Sequence, residues 1–417
     1  MGRIFVWGWI PINRWWIRSG FVSLWVCRLL TYLGDQMFHI CVTVRVFQAF
    51  GTGAALGTYY VVGLLPSALM GPVAGVFIDR LDRRLLAAAG LGLSSVAAVG
   101  LYYSEEMPQL LALTFMSALA AVIHGTSLKG ILPDVVEKEH LLQANSVQSG
   151  TESIARLAAP VISAAILSIA GTSAALLAAA CSYLLAAAAV LRVRVAAPQE
   201  VANPRSDLAA GVRDVWKQLI EGVGYLMRER QLLLVTAAVT LVMFADTSVT
   251  PLFTILLNKH LNVPAEFIGF LSSGYGAGLL IGAVTGPFLG KAAGESGLVP
   301  LGASLIGLQM LAYSRIEAFW LTLPLQVTCG VGFAFLLNGA TTVFQTMVPR
   351  HLIGRTFSAS AGLGALATLV AARAGGAVAD ALGVRTVFLG AGVLSVCAAV
   401  CSLGLARRAR NARRPGV

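Results

Sequence analysis

Apolar residues run along this chain in blocks of about 20 that stop at Gly, Pro or a charge. Six blocks fall near 21–46, 55–77, 85–103, 109–128, 146–169 and 173–191. Six more follow near 232–256, 265–289, 297–313, 318–346, 356–378 and 384–405. A helix of about 20 residues crosses the roughly 30 Å hydrocarbon layer of a bilayer. Backbone groups in lipid need internal partners, and barrel strands would alternate over about ten residues instead. The pattern therefore predicts an all-α integral membrane protein of about twelve transmembrane helices.

Composition agrees. The chain is 57% hydrophobic and 12% charged, with a mean hydropathy of +0.79, whereas soluble domains carry about 25% charged residues. Twelve spans use some 240 positions, so no sizeable soluble domain is expected. The six cysteines, Cys27, Cys41, Cys181, Cys329, Cys397 and Cys401, sit inside apolar blocks with no Cys-x-x-Cys and no His at ligand spacing. They read as small core residues, and neither a metal nor a cofactor is expected. The first residues have no compact apolar core ending in a cleavage site, so retention is expected. Trp7, Trp9, Trp15 and Trp16 beside Arg3, Arg14 and Arg18 suit a headgroup-level anchor.

The net charge of +11 is explained by where the cations fall. Threaded from a cytoplasmic N-terminus, Arg80, Arg83, Arg84, Lys129, Lys138, Lys291, Arg350 and Arg355 lie on cytoplasmic turns. The opposite turns hold only Lys259, Arg315 and Arg385, with Glu105, Glu106, Glu266, Glu317 and Asp380. This asymmetry places both termini in the cytoplasm of a bacterial inner membrane. The Arg-rich end reads as a topology and lipid-contact signal, so membrane lipids rather than nucleic acid are the expected charged partners.

The blocks form two sets. The plan is a six-helix bundle over 1–191, a cytoplasmic connector over 192–230, a second six-helix bundle over 231–406 and a basic tail over 407–417. Within the connector, 207–228 has apolar residues at helical spacing and reads as an interfacial helix. The halves echo each other: Gly71-Pro72 with Gly75 recurs as Gly286-Pro287 with Gly290. A looser echo links Pro133, His140, Leu141 and Ser146 with Pro349, His351, Leu352 and Ser358. Two joined six-helix repeats are the plan of a secondary transporter with its site between them.

Ionisable groups inside spans are costly and usually face a cavity or one another. Arg28, Tyr32, Asp35 and His39 are spaced to share one helix face. Asn145, Gln148, Glu152 and Arg156 form a similar stripe, in which Glu152 and Arg156 can pair along the helix. Asp246 in the seventh span is the counterpart of Asp35. Asp35, Glu152 and Asp246 are the proton-coupling candidates, because a carboxyl that alternates between environments takes up and releases a proton. Asp35 is expected to be the primary site, tuned by His39 and Arg28. The substrate-cavity candidates are Arg28, Tyr32, His39, Arg156, Gln326, Asn338 and Arg373, the last expected to pair with the other half or with an anionic substrate.

The turn after the second block reads Gly75-Val-Phe-Ile-Asp79-Arg80-Leu-Asp82-Arg83-Arg84. It resembles the signature loop of the major facilitator superfamily, with Asp82 where that pattern has Gly. Leu33-Gly34-Asp35, Pro133-Asp134 leading into Leu142-Gln143-Ala144-Asn145-Ser146, and Gly354-Arg355 after Pro349 are similar to the drug-efflux branch that includes macrolide and enterobactin exporters. Two departures stand out: Ala158-Ala159-Pro160 lacks the Gly of the antiporter signature, and the fourth span has His124-Gly125 but no Arg. The resemblance implies a conformational latch of Gly75, Asp79, Arg80, Arg83 and Arg84. It also implies alternating-access export of a small amphiphilic molecule, drug or siderophore, in exchange for protons. Import or facilitated diffusion of a metabolite is the alternative, and a polytopic membrane enzyme is the rival class. A phosphate-binding loop is excluded, since Gly286 to Gly290-Lys291 is one residue short and lacks Ser or Thr. No enzymatic motif is found, and a monomer is expected.

Overall fold

The computed structural model describes residues 5–6, 10–11, 20–78, 81–137, 140–193, 208–264, 267–293, 297–349 and 352–412. Apart from turns and a two-residue antiparallel ladder, Phe5–Val6 with Ile10–Pro11, these residues are helical. The tryptophans and arginines expected to anchor the N-terminus lie outside them.

In the first half, α1 spans Phe21–Phe50, α2 Gly53–Ile78, α3 Arg83–Tyr103, α4 Met107–Val135 and α5 Leu141–Leu191. A straight helix of the 51 residues of α5 would be about 77 Å long, far more than a bilayer needs. Gly171 breaks it at φ 79° and ψ 174°, a backbone conformation that favours glycine, and the chain returns as a sixth span. After the connector helix α6, Leu208–Arg228, come α7 Arg230–Val249, α8 Ile268–Ala293, α9 Leu298–Tyr313, α10 Thr322–Met347, α11 Ile353–Leu382 and α12 Val384–Ala412. Beyond Val249, α7 continues through a 3₁₀ turn, one α-turn and a π-helical turn to His260.

Among the described residues, nine helical segments are long and apolar enough to cross a membrane. One of them, Ala158–Leu191, takes in the end of the fifth span and the sixth. The shorter α9, of 16 residues, and α1, with Arg28, Asp35 and Arg45 in it, complete the twelve expected from the pattern. The last helix runs to Ala412, so its backbone continues into the segment expected to be a tail.

In the first bundle α1 packs on α5, α3 on α4 and α5, and α2 on α4. In the second, α8 packs on α10, α9 on α10 and α12, and α7 on α11 and α12. The bundles meet along two seams, α2 with α11 and α5 with α8. Each seam joins the second helix of one repeat to the fifth of the other, as a pseudo-two-fold pairing requires. Small residues allow these approaches. A Cβ on Gly57 would lie 2.4 Å from the Ala372 carbonyl, and one on Gly269 would lie 2.5 Å from that of Pro160. The close approaches of Gly53 to Gly376 and of Gly57 to Ala372 lie at the start of α2 and the end of α11. That side, where α1 ends, is termed the distal face below, and the side where α1 begins the terminal face.

Candidate functional site

A cavity of about 470 Å³ opens between the bundles. The first bundle lines it with Tyr32, Asp35, Gln36, His39 and Thr43 of α1 and Tyr60 of α2; the second adds Asp246, Phe253, Tyr275 and Gln326. Ile268, Leu271 and Leu279 form an aliphatic wall. Two carboxylates, several hydroxyls and amides, and four aromatic rings thus surround one space. Such a mixture suits a molecule with both an apolar body and polar groups.

Asp35 is positioned by a residue 148 positions away. The Tyr183 hydroxyl, on the sixth span, donates to Asp35 Oδ1 at 2.8 Å. Gly34 makes that reach possible, because a Cβ there would lie 2.9 Å from the Tyr183 ring. The neighbouring Ser182 hydroxyl donates to the Leu30 carbonyl at 2.6 Å, fixing the register of α1 on the sixth span. Leu33-Gly34-Asp35 is therefore a packing unit as much as a chemical one.

His39 is held between two phenols. Its Nδ1 lies 2.6 Å from the Tyr59 hydroxyl and its Nε2 3.2 Å from that of Tyr60. The three rings pack with centroids 5.2 to 5.8 Å apart. Tyr60 and Asp246 both line the cavity, so α2 and α7 bring polar groups to the space that α1 faces. On α7, the Thr250 hydroxyl donates to the Asp246 carbonyl at 2.8 Å and reaches Oδ2 at 3.4 Å. The helix departs from α geometry at Thr250 itself, as often occurs at functional positions.

The other candidates are distributed differently. Arg28 and Glu152 do not line the cavity. They lie within electrostatic reach of each other at the α1–α5 contact, where Trp25 Nε1 also donates to Thr151 at 2.6 Å. Arg28 thus lies at the contact of α1 with α5, while Tyr32, Asp35 and His39 of the same stripe reach the cavity. Arg156 lies on α5, and its side chain is outside the described residues. Asn338 and Arg373 are exposed and away from the cavity lining. Arg373 forms no ion pair among the described residues, so the expected pairing across the halves is not found.

In the signature turn, Asp79 and Arg80 lie outside the described residues, and Gly75 is part of α2. Arg83 donates to Asp134 Oδ2 at 2.9 Å and to the Gly130 carbonyl at 3.0 Å, tying α3 to α4. Arg84 donates to the Val193 carbonyl at 2.8 Å. Asp82, with φ −63° and ψ 109°, occupies an ordinary extended conformation that does not require Gly. Its side chain caps α3 by accepting from the N–H of Arg84 at 2.8 Å and of Leu85 at 3.4 Å. Slight burial opposes the charge, but these N–H groups and the Arg84 guanidinium outweigh it and hold the carboxyl below its usual range.

Tyr183, Tyr59, Tyr60, Gln36, Phe253 and Tyr275 escaped the sequence reading. The Tyr59-Tyr60 pair, two hydroxyls inside an apolar block, was the one local signal for them.

Two helix bundles around a shared polar cavity are the plan of a membrane transporter. The sequence profile of the Major Facilitator Superfamily matches residues 24–359 and again 235–416, and the chain belongs to that family. It is 21% identical to macrolide efflux protein A of Streptococcus pyogenes over 93% of this chain and 96% of that one. It is 26% identical to the enterobactin exporter EntS of Shigella dysenteriae serotype 1 over 68% and 67% of the two chains. Among solved structures, a bacterial homologue of the iron transporter ferroportin aligns with a TM-score of 0.71 and 17% identity, covering 93% of this chain and 99% of that one.

Proposed function

We propose that this protein exports a small amphiphilic molecule by alternating access, in exchange for protons. The observation that carries this reading is the convergence of Asp35 and Asp246, from the first helix of each repeat, on one cavity between the bundles. Both carboxyls are shielded when the distal seams are closed, and either can release its proton when water reaches the cavity from the other side. Each proton moved down about 100 mV contributes roughly 2.3 kcal/mol to substrate accumulation.

Relatives named for macrolide efflux and enterobactin export favour the outward direction and a drug- or siderophore-like substrate. The aromatic and aliphatic walls, with Gln36, Ser272 and Gln326 among them, suit the same class. The basic residues of the terminal-face turns favour a cytoplasmic side for both termini of a protein in the cell membrane, with the distal face looking outward. Asp35 and Asp246 serve as the proton carriers, with His39 and the two tyrosines bridging between them. Glu152 and Arg28 hold α1 on α5, and Gln326 and Tyr32 contact substrate.

Proteoliposomes with an imposed pH gradient test the reading. Loaded with a macrolide or a catechol siderophore, wild-type vesicles exchange substrate against protons, while Asp35→Asn and Asp246→Asn lose gradient-driven movement. Uptake along the proton flow identifies an importer, and gradient-independent flux identifies a facilitative carrier; either overturns the proposal.

A further inference from the structure

The connector helix α6 has three faces rather than two. At 100° per residue, the strongly exposed Trp216, Ile220, Val223 and Met227 fall within an arc of about 60°. The face about 100° to one side carries Leu219, Gly222 and Leu226 and packs on the bundle. Leu226 is buried, and a Cβ on Gly222 would lie 2.3 Å from the Arg355 carbonyl of α11. The face on the other side is polar, with exposed Lys217, Glu221 and Arg228. Glu221 pairs with Arg355 at the first turn of α11, and Tyr225 donates to the Met347 carbonyl at the end of α10 at 3.4 Å.

These contacts fix the level of the helix. Only Glu229 separates α6 from the span that begins at Arg230, and its packing partner is the opening turn of another span. The helix is therefore held where spans enter the bilayer, and its four-residue apolar stripe faces away from the protein. Exposed Lys217 and Arg228 stand on the adjoining face, and exposed Arg230 opens the next helix. Apolar spacing alone suggests that every apolar position of the segment faces lipid. The structure instead divides them, giving one set to α11 and leaving Trp216, Ile220, Val223 and Met227 unpartnered.

We infer that α6 is a lipid-docking element: its stripe enters the headgroup–acyl boundary, its cations hold anionic phospholipid, and the Glu221–Arg355 pair ties α11 to that surface. Partly buried amphipathic helices with a basic flank bind membranes in this way. The occupant is lipid rather than a partner protein because the stripe sits at the level where α7 and α11 enter the bilayer and is flanked by the exposed cations Lys217, Arg228 and Arg230, which complement anionic headgroups. The inference rests on the arrangement of spans and does not depend on the direction of transport.

The difference between the fluorescence of wild type and of Trp216→Phe isolates Trp216 in full-length protein reconstituted in phosphatidylcholine vesicles with or without phosphatidylglycerol. The difference spectrum is expected to be blue-shifted, about halved by acyl-brominated phospholipid and insensitive to iodide. In mixed bilayers, Lys217→Gln and Arg228→Gln each lower the preference for phosphatidylglycerol about fivefold, roughly what one cation near an anionic surface supplies. Quenching by iodide means the stripe is in water and overturns the inference. Resistance to both quenchers means a protein covers it, and an unchanged lipid preference in both charge variants means that the cations do not bind lipid; each of these overturns it as well.

Discussion

Asp380, near the end of α11, accepts a hydrogen bond at 2.7 Å from the backbone N–H of Gly53 at the start of α2. Its second oxygen accepts from the N–H of Ala54 at 2.8 Å. One carboxylate of the second repeat thus satisfies the unpaired donors at a helix N-terminus of the first, where the helix dipole also favours negative charge. From the opposite side of the same turn, Lys259 donates to the Gly51 carbonyl at 2.9 Å. A turn of one bundle is gripped between an anion and a cation of the other, and the grip joins the bundles at the distal face.

Asp380→Ala removes two charge-assisted bonds, together about 2 kcal/mol. The equilibrium between distal-closed and distal-open forms should move roughly 30-fold toward the open one. Spin-label distances between α2 and α11 at the distal face would report this directly. Unchanged distances would mean that the seam is held by packing alone.

Packing at that seam gives a companion expectation. A Cβ on Gly57 would stand 2.4 Å from the Ala372 carbonyl, so Gly57→Ala must separate the helices at a cost of about 1–3 kcal/mol. The same distance measurement should show opening with Asp380 intact.

Gly34 and Tyr183 should behave as a pair. Gly34→Ala pushes the Tyr183 ring off Asp35, and Tyr183→Phe removes the donor with little change in volume. Both are expected to alter the pH profile of transport, while only Gly34→Ala lowers thermal stability substantially, by about 1–3 kcal/mol. Transport against pH, with melting curves of each variant, separates the two effects.

His39→Leu strips both phenols of their ring partner and is expected to cost about 1–3 kcal/mol. Adding Tyr60→Phe to it should recover part of that loss, because this removes the hydroxyl left without the ring, whereas Tyr59 keeps the backbone carbonyl of position 39 as acceptor at 3.3 Å. A thermal-unfolding cycle measures the coupling, and strict additivity would contradict the hydrogen-bonded cluster.

Asp82 offers a pH-dependent test away from the membrane core. Because its folded carboxyl titrates below the usual range, its contribution is complete above about pH 4 and is lost as the pH falls further. Asp82→Ala should lower stability by about 1 kcal/mol near neutrality, and Asp82→Gly by only a few tenths. Both differences should vanish in acid.

Local chain properties settled the spans, the two sets of six and the shared face of Tyr32, Asp35 and His39. A run of apolar residues and a 3–4 spacing are properties of one helix, and a bilayer leaves few alternatives for it. What lies across a helix contact is not written in either helix alone. Tyr183 meets Asp35 from 148 positions away, and Asp380 reaches Gly53 across 327. Arg28 shares a face with Asp35 yet answers to Glu152, because neighbours at its depth, rather than its own helix, decide which charge it meets. Even α6, amphipathic on inspection, took its three faces from the presence of α11. The sequence alone determined that helices cross the membrane and which residues they bring to its interior. The pairing of those residues was decided by tertiary structure, because hydrogen bonds and close packing between helices depend on angstrom-scale approach, which only the assembled bundles define.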